Sequence, residues 1–104
     1  MGVVAKDVHP PRDSSRKRVL LRGTLFTPHG AQIVWIRDIS PSGALVTSED
    51  RLPAGCDVIL KRGNIFAAGH IARSNDSGAE IAFYRELEER EIASAVQPGP
   101  SSAA

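Results

Sequence analysis

Along most of the chain, apolar and polar residues alternate with a period of two, the pattern of half-buried strands. Val19, Leu21, Gly23 and Leu25 share one face of a first strand, and TPHG (Thr27 to Gly30) then turns the chain. AQIVWIRDI, residues 31–39, is apolar on both faces, which suits a strand in the middle of a sheet or barrel. GALVT is a short strand, and DVILK alternates around Val58 and Leu60. RGN, Arg62 to Asn64, is a tight hairpin signal. IFAAGHIARS is a longer strand with Gly69 inside it, where a bend or bulge is expected. SNDSG turns again, and AEIAFY sets Ala79, Ile81 and Phe83 on one side. Six short antiparallel strands in so small a chain curl and close, because an open sheet leaves unpaired edges.

Only RELEEREIASAV, residues 85–96, reads as a helix, being rich in Glu, Ala and Leu and free of β-branched runs. Ile92, Ala95 and Val96 form its apolar stripe, with Leu87 on the margin. The helix is expected to lay this side on the sheet or to close one end of it. The predicted fold is thus all-β: a six-stranded antiparallel barrel with a C-terminal α-helix. Residues 1–11, which include Pro10-Pro11, are expected to form a flexible arm. Residues 12–96 form the barrel with its helix, and residues 97–104, rich in Pro, Gly, Ser and Ala, a disordered tail.

Composition narrows the function more than the fold. With 104 residues, 41% hydrophobic and 24% charged, the chain has the makeup of one soluble domain. No apolar run approaches the roughly 20 residues of a membrane helix, and the first residues lack the apolar core of a secretory signal. The single Cys56 excludes an internal disulfide and fits a reducing compartment, so a cytoplasmic location is expected. The net charge of +1 hides an asymmetry: residues 1–22 carry six Lys and Arg against two Asp, whereas residues 85–96 are acidic. A basic arm suits an anionic partner or simply a solvated terminus.

Most chemistries find no residues to carry them. His9, His29, His70 and Cys56 are scattered without zinc-like spacing, so no metal or other cofactor is expected. Ser40 has no nucleophile elbow, and neither His70 nor Asp38 makes it a convincing triad, so the chain is read as a non-enzyme. Five aromatic residues, mostly at expected core positions, are a poor stacking platform for single strands. A nucleic acid polymer is not an expected partner, and no membrane insertion is expected.

Two features remain. In RDISPSGALV, Asp38 and Ser40 stand two apart, and on a strand they point the same way. Pro41 stiffens the bend, and Gly43 permits a positive φ or a close backbone approach. Taken alone, this stretch is a turn whose Asp and Ser bond local backbone. The second feature is RDSSR, in which Arg12 and Arg16 are four apart. The spacing lets a tight turn bring both guanidinium groups to one ligand, where such forks bind phosphate oxygens bidentately or read guanine at O6 and N7; the alternative is a solvated basic arm before the first strand.

Together these features resemble the PilZ domain family, whose pattern is RxxxR before the first strand and [D/N]xSxxG after the second. RDSSR supplies Arg12 and Arg16, and DISPSG supplies Asp38, Ser40 and Gly43. RVLLRGTL, LPAG and GAEIAF also match the surrounding text, so the resemblance spans roughly residues 12–96. It implies a barrel that binds the bacterial second messenger cyclic di-GMP as its ligand, a molecule with two phosphates and two guanines. Arg12 and Arg16 would then clasp phosphate and guanine from the arm. Asp38 and Ser40 would bond guanine edges and the ligand backbone, and Gly43 would leave room for a base. The arm would change position on binding, and an unidentified protein partner would read the change. The alternative is an adaptor of the same fold that binds no nucleotide. Pro11 stands where many family members carry a further arginine. RVLLR offers a second match through Arg18 and Arg22, but this pair runs into the first strand.

Overall fold

The computed structural model describes residues 16–96. The expected arm, Arg12 and the expected tail lie outside the described residues. Six strands follow in chain order: β1 (Lys17–Thr27), β2 (Gly30–Ser40), β3 (Gly43–Thr47), β4 (Asp57–Arg62), β5 (Ile65–Asn75) and β6 (Gly78–Phe83). The helix α1 (Glu89–Val96) comes last. The strands close into an antiparallel barrel in the order β1-β2-β3-β6-β5-β4, so every strand is paired on both sides. The expected six-stranded barrel with one C-terminal helix is the fold.

Two-residue turns link β1–β2, β2–β3, β4–β5 and β5–β6. The RGN signal closes through Gly63 at φ 56°, the positive value a primed hairpin turn needs at its first central position. The β2–β3 turn differs. Pro41 fixes a negative φ, and no non-glycine among the described residues has a positive one. Ser40, Pro41 and Gly43 therefore occupy the first, second and fourth places favoured in a type I turn.

Alternation fills the interior. Leu25, Val34, Ile36, Leu60, Ile65 and Ile81 are fully buried, and each such side chain contributes about 1.5–3 kcal/mol on burial. On β2, the run that is apolar on both faces resolves into inward Val34 and Ile36 and about half-exposed Ile33 and Trp35. Gly69 does not mark the expected irregularity, because β5 and β6 slip register slightly beyond it, between Ile71 and Arg73. Its role is close approach: a Cβ there would lie 2.3 Å from the Ala82 carbonyl oxygen.

The helix is shorter than the sequence suggests, starting at Glu89 rather than Arg85. Leu87 N–H donates to Pro41 O at 2.9 Å, which pins the preceding segment to the β2–β3 turn. Leu87 is buried rather than marginal. The Glu91 carboxylate accepts the Glu88 N–H at 2.7 Å, one half of a capping box. Leu87 and Ile92, both buried, then stand at the two positions of a hydrophobic staple.

Candidate functional site

Three strand pairings slip register, between Arg18 and Leu21 on β1, Ile36 and Asp38 on β2, and Ile71 and Arg73 on β5. A bulge breaks the two-residue alternation and re-aims the side chains beside it. On β2, Ile36 and Ile39 are both fully buried although they are three apart. Arg37 and Asp38 between them are thereby released from the core.

Arg18, Asp38 and Arg73, each at the edge of a slip, fall in one row across five strands. Arg18 stands opposite Asp38, Asp38 opposite Leu45, Leu45 opposite Glu80, and Glu80 opposite Arg73. This row floors an open groove of about 650 Å³ whose walls include Arg37, Thr47 and Asn75. Volumes of roughly 300–1,000 Å³ suit small-molecule ligands.

Arg16, just before β1, lies over the row. Its Nη1 donates to Asp38 Oδ1 at 2.5 Å, and its Nη2 stands 3.6 Å from Glu80 Oε2. On the other side, Arg73 Nε is 3.5 Å from Glu80 Oε1. The Asp38 side chain is 15% exposed and that of Glu80 34% exposed. The groove thus sets guanidinium groups beside carboxylates around the apolar Leu45. Such an array offers donors to anionic oxygens and acceptors to N–H groups in one groove.

The sequence-selected residues divide. Arg16 and Asp38 meet directly. Ser40 is 2% exposed, and its hydroxyl lies 3.3 Å from Ser42 Oγ and 3.4 Å from Gly43 O. Gly43 is buried, and a Cβ there would lie 2.3 Å from Ile81 O, so β3 and β6 approach too closely for any side chain. Its φ is not positive, which leaves close approach as the reason for glycine. Arg18 lines the groove, whereas Arg22 borders a separate shallow pocket with Ile33 and Lys61. His70 stacks on Tyr84, with ring centroids 5.6 Å apart.

Sequence reasoning missed Leu45, Glu80 and Arg73. The outward position of Glu80 was implied by Ala79 and Ile81 facing inward on either side of it. Its nearness to Arg16 follows from the β3–β6 pairing, which joins strands that are not consecutive. Among the described residues, no three His, Cys, Asp or Glu side chains gather as metal ligands, and no helix is long and apolar enough to cross a membrane.

Fold and groove define a small closed β-barrel with an open cleft on its outer wall, bordered by arginines and carboxylates. No family model matches the chain, and no curated protein matches it. Among solved structures it is similar to the Borreliella burgdorferi PlzA protein, whose crystal structure is in complex with c-di-GMP. The TM-score is 0.60 and the identity 20%, over 86% of this chain and 43% of that one. At that identity the likeness is one of fold, and the chain spans less than half of PlzA's length.

Proposed function

We propose that the chain is a cyclic di-GMP receptor of the PilZ type, non-catalytic, with the groove as its ligand site. The observation that carries this reading is Arg16 held by Asp38 at the groove's edge. One residue from each half of the two-part motif meets there. The fold likeness to a protein solved with c-di-GMP gives independent support. In this reading Arg16 and Arg12 bind phosphate and guanine, and Asp38 accepts from the guanine N1 and N2 donors. Ser40 and Gly43 do not line the groove and act by holding the turn that follows Asp38. Movement of the arm on binding is the signal that a protein partner reads.

Calorimetric titration of the full chain with cyclic di-GMP tests the proposal. Binding is expected, with most of the heat lost in Arg16→Ala. Arg90, paired with Glu88 at the start of α1 and not among the groove-lining residues, is the control, and Arg90→Ala should bind normally. A folded protein that gives no heat across the micromolar range would refute the reading.

A second reading, a nucleotide-free adaptor, is favoured by one observation. Asp38 and Glu80 both pair with Arg16 within the chain. Pull-down of partners with and without cyclic di-GMP separates the two, since an adaptor retains its partner equally in both.

A further inference from the structure

We propose that Glu80 is a resident counter-ion that occupies the place of the ligand's phosphate, and that Arg73 is a second phosphate anchor which Glu80 holds in reserve. The proposal rests on the cyclic di-GMP reading of the groove.

Glu80 uses one carboxylate oxygen for each cation: Oε2 faces Arg16 Nη2 at 3.6 Å, and Oε1 faces Arg73 Nε at 3.5 Å. Both separations exceed the roughly 2.7–2.9 Å of a charge-assisted hydrogen bond. The Arg16–Asp38 contact at 2.5 Å does not. Arg16 is therefore held firmly on one side and loosely on the other. Glu80 is also the more exposed of the two carboxylates, with 34% of its side chain open against 15% for Asp38.

The backbone beneath Glu80 cannot follow its side chain. Ala79 and Ile81 on either side are buried, and Glu80 is registered against Leu45 on β3 and Arg73 on β5. Displacement is thus a change of side-chain rotamer. A phosphodiester oxygen that enters between Arg16 and Arg73 meets the Glu80 charge first. Like charges at such separations repel, so the ligand seats only as Glu80 swings out to water. Arg73, 83% exposed, then turns its guanidinium to the phosphate. Glu80 opposes binding and Arg73 favours it, although they are direct cross-strand neighbours.

Calorimetry with cyclic di-GMP on the full chain, comparing wild type, Glu80→Gln and Arg73→Ala, decides the matter. Glu80→Gln keeps shape and removes charge, and it should bind about fivefold tighter at low salt, with the gain shrinking as salt rises. Arg73→Ala should bind about fivefold more weakly. If wild type binds but Glu80→Gln is no tighter, the counter-ion role falls and the receptor reading stands. If Arg73→Ala binds as wild type does, the anchor role falls. If wild type does not bind, the receptor reading falls and the proposal with it.

Discussion

Arg16 and Asp38, 22 residues apart in sequence, are joined by a 2.5 Å contact from Nη1 to Oδ1 where β1 begins. The pair is only partly screened, with side-chain exposures of 26% and 15%. It ties the start of β1 to β2. A double-mutant cycle with Arg16→Ala and Asp38→Ala, read by urea denaturation of the free protein, should give a coupling of about 1 kcal/mol. High salt should reduce it. An absence of coupling would mean that the contact does not order the start of β1 in solution.

Gly43 makes a different demand. A methyl group there meets the Ile81 carbonyl oxygen at 2.3 Å, and a backbone atom in a closed barrel has little room to yield. Gly43→Ala should therefore destabilise the fold by about 1–3 kcal/mol or more. Any loss of ligand binding should track the loss of folded protein in a thermal melt. Arg16→Ala should lower binding with a far smaller effect on the melt. Normal stability in Gly43→Ala would show that β3 and β6 can separate at little cost.

The strands were legible because the barrel is built from local alternation and two-residue turns, and both leave marks in neighbouring residues. Leu25, Leu60 and Ile81 sit on alternating apolar faces, whereas on β2, apolar on both faces, alternation alone does not tell buried Val34 and Ile36 from exposed Ile33 and Trp35. The start of α1 was not legible, because Leu87 N–H is held by Pro41 O from a distant turn. The candidate site was legible by half. Arg16 and Asp38 stood out through their motif spacing, but spacing cannot reveal the β3–β6 and β5–β6 pairings that bring Glu80 and Arg73 beside them. The slip between Ile36 and Asp38 turns Asp38 out toward the groove while Ile36 stays buried, although regular alternation would keep the two on one face. Asp38 borders the groove, while Ser40 is buried in the turn.

Tyr84 should titrate above the usual tyrosine value of about 10. Its hydroxyl donates to the Asp57 carboxylate, and loss of the proton would end that hydrogen bond; slight desolvation and the nearby negative charge add to the rise, although the ring is largely exposed. A raised folded value means the contact stabilises the fold below the unfolded pKa. That stabilisation is lost as pH rises through the folded value. The chain has one tyrosine, so ultraviolet absorbance follows this group without ambiguity. Asp57→Asn should return the titration toward the ordinary value. An unchanged midpoint in that variant would remove Asp57 as the cause.

Arg62 should hold α1 to the barrel. Its Nε donates to Ala95 O at 3.1 Å, and its Nη1 donates to Arg22 O at 2.7 Å. Ala95 lies in the last turn, where helix carbonyls lack intrahelical partners and a cation offsets the dipole. The helix has no basic residue of its own in that turn, so β4 supplies one. Eight residues are too few for a helix to persist alone in water. Arg62→Met keeps an apolar stem and removes the guanidinium. It should cost about 1–2 kcal/mol and speed amide exchange through α1. Exchange in β2 and β3, which Arg62 does not touch, should change only as far as global stability falls. Slow exchange retained in α1 would place the helix anchor in Ile92 and Ala95 packing alone.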